Sequence, residues 1–255
     1  MKKWGIAGAI TLLCAAALFA QNYRDGFYFA QDVDYVNNQK NQVVLEVKGG
    51  KIASAAWNML SLNAGTKDLK AIAASGGVPA AATWATQAAA VEQHLVSTQD
   101  TKVVAVPGGP ANAKPFFDLA AKALKARAVA SGSYKDGWYY AEAAGADSYH
   151  TKNSALITVV NGTIVDVLWN GILQGMPASV NPSKMITSRA KGYPMTDAKK
   201  MWHEQSEIFA AALVKAQNPD SIKLKANAAP DGISGVSIQV KDYLDVVKQA
   251  LAAAR

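Results

Sequence analysis

Apolar residues along the chain fall into three patterns. The first twenty residues have Lys2 and Lys3 followed by an apolar run from Trp4 to Ala20 and then a polar segment, which is typical of a secretory signal. Further on, short segments are rich in β-branched residues or alternate apolar and polar positions, as strands do. Longer segments place apolar residues three or four positions apart, as amphipathic helices do. These patterns predict a mature chain of strands and helices behind an N-terminal leader.

The strand and helix patterns occur twice along the chain. The stretch DGFYFAQ, which begins at Asp25, returns as DGWYYAE from Asp136. The segment VVLEVKGGKIASAAWN at 43–58 matches ALITVVNGTIVDVLWN at 155–170, which aligns Trp57 with Trp169. Repeated segments at a fixed spacing indicate repeated structural units. We therefore expect two copies of one unit in tandem.

Each copy is expected to open with a β-meander. In the longer matched segments, two apolar runs flank Gly49-Gly50 in the first copy and Asn161-Gly162 in the second. Asn-Gly between apolar runs is a strong signal for a type I′ hairpin turn. The sequence thus predicts a strand, a tight turn and a strand in each copy.

Helices are expected to follow the hairpins. Helical spacing predicts helices over 84–96 and 201–215, with Thr196 as a candidate N-cap of the second. This alignment places Trp84 opposite Trp202 and Gln87 opposite Gln205. A final helix is predicted in each copy, at about 114–127 and 240–255.

These elements predict an α+β fold made of two tandem repeats, each an antiparallel β-meander packed with two or more helices. We expect a signal peptide at 1–20, a first repeat at 22–128 and a second repeat at 133–255. Residues 129–134, VASGSY, have the composition of a linker. Two units of about 100 residues agree with the usual size of a domain.

The single cysteine and the distribution of charge reduce the number of functional classes that the sequence supports. The single cysteine, Cys14, lies in the apolar leader, so cleavage near Ala20 would leave no thiol for a disulfide, a metal or a nucleophile. An alternative is a lipid anchor at Cys14. Loss of Lys2 and Lys3, two positive charges, would lower the formal net charge from +7 to +5. The other basic residues are scattered among acidic ones, and this pattern gives little support to nucleic-acid binding.

The second copy ends with DGISGVS, residues 231–237, ahead of the final helix. Together with the DG-aromatic-Tyr strand and the hairpin, this stretch resembles the FMN-binding domain family of exported bacterial flavoprotein electron carriers. That family has a C-terminal Asp-x-x-Ser/Thr-Gly-Ala-Thr/Ser motif, whose last hydroxyl is esterified by the phosphate of FMN through a separate flavin transferase. The resemblance covers nearly all of the mature chain.

The resemblance assigns the motif positions to Asp231, Ser234, Gly235 and Ser237, with Ser237 as the residue that carries FMN. Val236 stands where the family usually has Ala, and Ser237 where Thr is commoner. From the seven residues alone, the alternative is an ordinary turn with Ser237 as a helix N-cap.

Elementary electrostatics agrees with a phosphate at this place. A phosphate on Ser237 would lie near a helix start, where backbone N–H groups favour an anion. Lys241 could add a cation, and Trp169 could stack on the flavin ring, although packing in the sheet is the alternative role for Trp169.

The first copy serves as an internal comparison. Aligning Lys114 with Lys241 places Pro110 opposite Ser237 and Gly108 opposite Gly235. Proline has no hydroxyl, so the first repeat is not expected to carry FMN by this bond.

The resemblance implies an exported, non-catalytic electron carrier, located in the periplasm or at the cell surface. Its partners would be a flavin transferase and a membrane or periplasmic redox donor and acceptor. Two alternatives stay open from the sequence. One is a flavin-free binding module with the same fold, and the other is an FMN-dependent reductase.

Overall fold

We describe residues 23–63, 65, 67–177, 179–195 and 199–255 from a computed structural model. The predicted signal peptide with Cys14, and the candidate N-cap Thr196, lie outside these residues. We refer to residues 23–128 as the N-terminal half and to residues 133–255 as the C-terminal half.

The fold is α+β, as predicted, with one three-stranded antiparallel sheet in each half. The strand orders are β1-β2-β3 and β4-β5-β6. The N-terminal half contains β1 Gly26–Gln31, β2 Gln39–Lys48, β3 Lys51–Ser61, α1 Leu69–Ala74, α2 Pro79–Thr98 and α3 Lys114–Lys125. The C-terminal half contains β4 Gly137–Glu142, β5 Thr151–Val160, β6 Thr163–Leu173, α4 Lys184–Arg189, α5 Trp202–Ala216, a 3-10 turn Pro219–Ser221 and α6 Lys241–Ala252.

Both hairpin turns have the backbone that the sequence predicts. Gly49 and Gly50 have φ angles of 60° and 73°, and Asn161 and Gly162 have 51° and 74°. Two successive residues with positive φ define a type I′ turn, whose twist matches that of the flanking strands. In both halves an aspartate binds the turn, because the N–H of Gly50 donates to Asp25 at 2.8 Å and that of Gly162 donates to Asp136 at 2.7 Å.

A glutamine fastens the long helix of each half to the hairpin. The C-cap residues of α2 and α5 are Gln99 and Gln217, which have left-handed φ angles of 61° and 58°. The side-chain amide of Gln99 accepts from the N–H of Ile52 at 2.7 Å and donates to its carbonyl at 2.9 Å. Gln217 makes the same pair of bonds to Ile164, both at 2.8 Å. The amide thus satisfies both backbone groups of one strand residue.

Helices cover one face of each sheet and bury a core around a tryptophan. Trp57 is 2% exposed and packs with residues of α2 and α3. Trp169 is 3% exposed and packs with residues of α5 and α6. Leu60 in β3 and Leu62 just after that strand belong to the core of the C-terminal half, so that core extends into the other half.

Buried polar contacts also join the halves. The side-chain oxygen of Gln42 in β2 accepts from the indole of Trp138 at 2.8 Å and from the hydroxyl of Thr158 at 2.9 Å. Its amide nitrogen donates to Asp166 at 2.8 Å. Gln42 is fully buried, and three residues of the C-terminal half satisfy its amide.

The connector that resembles a linker is held at both ends. The N–H of Val129 donates to the carbonyl of Phe27 at 2.7 Å, and the N–H of Gly132 donates to that of Asn161 at 2.8 Å. A Cβ atom on Gly132 would lie 2.0 Å from the carbonyl oxygen of Gly162. Glycine is therefore required at 132 because the connector lies against the β5-β6 turn.

Helix boundaries agree with the sequence predictions to within a few residues. α2 starts earlier than expected, at Pro79, because proline suits the first turn of a helix. The short helices α1 and α4 were not predicted. Each has a side-chain N-cap, Asp68 or Ser183, that follows its strand by seven to ten residues.

Candidate functional site

A cavity of about 540 Å³ opens in the C-terminal half beside the loop that carries the predicted motif. Residues of β5, β6, α4, α5 and the start of α6 line it. Three of the predicted site residues are among them, namely Ser237, Lys241 and Trp169. A volume of this size lies within the range of ordinary ligand pockets.

Aromatic rings form much of the cavity wall. Trp169 stacks on Tyr243 with 4.1 Å between ring centroids and 6° between planes. Trp202 meets Trp169 edge to face at 5.2 Å, and Tyr193 lies beyond Trp202 at 6.5 Å. Aromatic residues at the border of a cavity can pack against a planar aromatic ligand.

Trp169 is first of all a core residue. Its indole N–H donates to Asn153 at 3.0 Å, and its ring packs against Phe209 as well as Tyr243. Trp57 makes the same bond to Asn41 in the other half, also at 3.0 Å. The packing role, which was the alternative from the sequence, is therefore present, and one part of the ring additionally borders the cavity.

Ser237 has an exposed side chain at the rim of the cavity. It is not a helix N-cap, because α6 begins at Lys241 and its N-cap residue is Val240. That alternative from the sequence is wrong for a physical reason: the chain between Ser237 and Val240 is bonded elsewhere. The N–H groups of Ser237 and Ile238 donate to the side-chain oxygen of Gln205, at 2.7 and 3.3 Å.

Gln205 is the residue that holds this loop. It is 2% exposed, and its amide nitrogen donates to the carbonyl of Lys200 at 3.0 Å. Its oxygen also accepts from the hydroxyl of Ser237 at 3.2 Å. One buried amide therefore fixes the backbone and the hydroxyl of Ser237 together.

The remaining motif residues lie away from the cavity lining. Asp231 and Ser234 are exposed, and Gly235 has a φ angle of 82° that favours glycine. Gly108, its counterpart in the first repeat alignment, has a φ angle of 76°. Val236, at the position where the resemblance expects Ala, is 6% exposed and packs in the core of the C-terminal half.

Lys241 borders the cavity but already has a partner. Its Nζ atom lies 3.1 Å from a carboxylate oxygen of Asp245, one helical turn further on, and its side chain is exposed. This hydrogen bond, together with the charge of Asp245, raises the pKa of Lys241. Asp242 lines the same part of the cavity.

A second lysine, which the sequence did not single out, lies deeper in the wall. Lys184 is 4% exposed, and its Nζ atom donates to the hydroxyl of Thr151 at 3.1 Å. The same atom lies 4.7 Å from the ring centroids of both Tyr193 and Trp202. Burial lowers the pKa of Lys184 to about 8, and the charge of Asp147 opposes this shift.

Sequence reasoning missed Lys184 and Gln205 for different reasons. Lys184 follows the N-cap Ser183 in a short helix that was not predicted, so its burial could not be anticipated. Gln205 was aligned with Gln87, and a glutamine on the apolar side of a helix was the available signal. The side chain of Gln205 points into the core, where polar groups need partners.

A larger cavity of about 650 Å³ lies between the two halves. Three of the charged residues in its lining pair with one another, since Arg189 forms ion pairs with Asp34 and Glu207. Asp166 accepts from Gln42 there, and burial raises its pKa. Because these groups satisfy one another, the smaller cavity beside Ser237 is the better candidate site.

Among the residues that the structure describes, no three His, Cys, Asp or Glu side chains cluster as a metal site would need. Among the helices formed by these residues, none is long and apolar enough to cross a membrane.

Neither a protein-family model nor a curated protein matches the chain. One solved structure that does match is a solution NMR structure of a protein from Clostridium thermocellum, determined in a structural genomics programme. It is 40% identical over 47% of this chain and 91% of its own, with a TM-score of 0.37.

Proposed function

We propose that this protein is an exported FMN-binding electron carrier, whose flavin is attached through its phosphate to Ser237 and lies in the 540 Å³ cavity. The observation that carries the proposal is the position of Ser237: an exposed hydroxyl at the rim of a cavity with aromatic walls. The resemblance to the FMN-binding domain family supplies the identity of the cofactor.

The loop around Ser237 suits a modified residue. Gln205 fixes the backbone on one side, and the buried Val236 anchors it on the other. In the proposed modification, Ser237 Oγ forms a bond to the phosphorus of an FMN group that is activated as a phosphoanhydride. The anhydride P–O bond breaks, the other phosphate group of the anhydride leaves with the bridging oxygen, and the hydroxyl proton is released. A flavin transferase is the partner that would catalyse this step.

The electrostatics of the rim also supports an anion at Ser237. No side chain caps the N-terminus of α6, a helix of 12 residues, so its first N–H groups lack such a partner. A phosphate close to a helix N-terminus is stabilised by the partial positive charge there. Lys241 adds a positive charge at the same rim, and Asp242 offsets part of it.

We propose further that the chain consists of two tandem copies of one unit, at 22–128 and 133–255. Equivalent hydrogen bonds in the two halves support this proposal. The clearest are the glutamine clamps, in which the side-chain amide of Gln99 or Gln217 bonds the backbone N–H and carbonyl of Ile52 or Ile164. In the first copy Pro110 takes the place of Ser237, so that copy would serve as a scaffold for the second. The flavin itself would accept and donate electrons, while the protein supplies its position and electrostatic surroundings.

Co-expression with a flavin transferase and intact-mass analysis of the product test the proposal. We expect the mass of one FMN group on the wild-type protein, none on Ser237→Ala, and retention on Ser237→Thr, which keeps a hydroxyl. Ser133→Ala, which removes an exposed serine outside the motif, is the matched control and should keep the flavin.

Flavin retained on Ser237→Ala would refute the attachment site. A wild-type protein that stays colourless beside an active transferase would favour a flavin-free module. Multiple turnovers of a small substrate with a soluble electron donor would favour a reductase over a carrier.

A further inference from the structure

The amine of Lys184 is the buried charge of the candidate site. No carboxylate of the described residues lies within ion-pair distance of it, and its hydrogen bond is to the neutral hydroxyl of Thr151 at 3.1 Å. Burying an ammonium without a paired anion costs several kcal/mol of solvation, in the order of magnitude known for buried ions. The lowered pKa of Lys184 has the same cause.

The corresponding helix of the N-terminal half has no lysine at this position. α1 and α4 occupy corresponding places after the two hairpins, and each begins directly after its N-cap, Asp68 or Ser183. The first residue of α1 is Leu69, whereas the first residue of α4 is Lys184. The first position of the helix is thus a leucine in the half where no ligand is expected. It is a lysine in the half where the helix borders the cavity.

The depth of Lys184 in the cavity wall determines which part of a bound flavin its ammonium group would contact. Lys184 lies among the rings of Tyr193 and Trp202 and is 4% exposed, whereas Ser237 is exposed at the rim. A phosphate on Ser237 would therefore lie at the rim, and a ring system bound between the aromatic walls would reach the ammonium.

On the basis of the proposed function, we propose that the ammonium of Lys184 binds the carbonyl and nitrogen edge of the flavin ring and stabilises its reduced, negatively charged form. Two electrons from the redox donor and one proton from solvent leave the reduced ring with one negative charge. Lys184 keeps its own proton in this step, and it contributes a hydrogen bond and a positive charge. It is a positioning residue that tunes the affinity of the site for the two redox states.

The first experiment uses protein made without the transferase, so that Ser237 is unmodified, and riboflavin, which has the ring but no phosphate. Quenching of riboflavin fluorescence measures the affinity. We expect Lys184→Met and Lys184→Gln to bind about tenfold more weakly than wild type, the scale of one hydrogen bond to a charged group. Lys248→Met, which changes an exposed lysine of α6 that does not line the cavity, is the control, and its affinity should change less than twofold.

Equal riboflavin binding by wild type and both Lys184 variants would overturn the proposal. A loss seen with FMN but not with riboflavin would also overturn it, because Lys184 would then contact the phosphate. Neither result depends on covalent attachment, so failure of the Ser237 assignment is recognised separately by intact mass. Thermal unfolding followed by circular dichroism checks that each variant folds.

The second experiment is a reductive titration with dithionite against reference dyes, on flavin-loaded protein. A tenfold loss in preference for the reduced ring corresponds to a midpoint potential lower by about 30 mV for a two-electron couple. We expect at least this shift in Lys184→Met and no shift in Lys248→Met. A Lys184→Met protein with bound flavin and an unchanged potential would contradict the proposal.

Discussion

Trp57 and Trp169 occupy corresponding places in the two sheets, and each donates its indole N–H to an asparagine at 3.0 Å. Their neighbours differ. Trp57 meets Phe116 at 5.5 Å with the planes tilted by 41°, while Trp169 stacks on Tyr243 at 4.1 Å with the planes nearly parallel. Leu69 in the N-terminal half corresponds to the buried Lys184 in the other.

The comparison distinguishes residues that stabilise the fold from residues that are candidates for binding a ligand. The residues that hold hairpin, helix and tryptophan together are alike in both halves, so they report on the fold. The differences are concentrated around one cavity, at Lys184, Tyr243 and Ser237. We infer that ligand binding, where it occurs, belongs to the C-terminal half.

Truncating the tryptophans should have the largest effect. Trp57→Ala and Trp169→Ala should each lower the free energy of unfolding by about 3–5 kcal/mol, because each removes a large buried side chain. Urea unfolding followed by circular dichroism measures this. A small loss at Trp169 beside a large one at Trp57 would show that Trp169 faces ligand more than core, and Trp169→Phe is the conservative control.

Replacing the buried lysine should stabilise the protein at neutral pH. The pKa of Lys184 is about 8 in the folded protein against an ordinary value of 10.5. The unfolded chain therefore binds more protons between these values, and stability rises with pH across that window. Below pH 8, Lys184→Met should gain about 3 kcal/mol over wild type.

The gain of Lys184→Met should disappear above pH 10.5, where the lysine is neutral in both states. Urea unfolding of ligand-free protein at pH 7 and pH 10.5 measures the difference, and comparison with the variant cancels other titrating groups. A wild-type protein as stable as Lys184→Met at pH 7 would contradict the burial argument.

The glutamine clamps should matter equally in both halves. Gln99→Gly and Gln217→Gly should each cost about 2 kcal/mol, because they leave a backbone N–H and a carbonyl of Ile52 or Ile164 without a partner. Glycine avoids strain at the positive φ angles, so the loss reports on the amide. The same urea experiment applies, and a clear inequality between the two variants would break the correspondence of the halves.

Changing the exposed lysines of the last helices should have the smallest effect. Lys114 and Lys241 each pair with an aspartate one turn further on, Asp118 or Asp245. Exposed pairs of this kind contribute little. Lys114→Ala and Lys241→Ala should both leave the unfolding midpoint unchanged within error, and a marked shift at Lys241 alone would indicate a structural role for the cavity rim.

Hairpins and long helices could be predicted from the sequence because their signals are local. The dipeptide Asn161-Gly162 predicts the turn in which it lies. The spacing of apolar residues predicts the helices α5 and α6. The motif and the repeated segments predicted Ser237, Trp169 and Lys241 as flavin-binding residues, which stays a prediction; in the structure all three line one cavity.

Contacts that join distant segments could not be predicted. The burial of Lys184 depends on Tyr193 and Trp202, which follow it by 9 and 18 positions and meet it only after folding. The bonding of Gln205 to Ser237 spans 32 residues. The connector was expected to behave as a linker from its composition, yet its backbone bonds hold it against both halves.

The side-chain oxygen of Gln205 accepts three hydrogen bonds from the loop that contains Ser237. The hydroxyl of Ser237 is one of three donors to that oxygen, and the other two are backbone N–H groups. Converting the hydroxyl to an ester would remove only its own bond and leave the backbone pair in place. If FMN is attached as proposed, the loop would keep one shape before and after attachment, so the protein would gain colour without a change in its conformation.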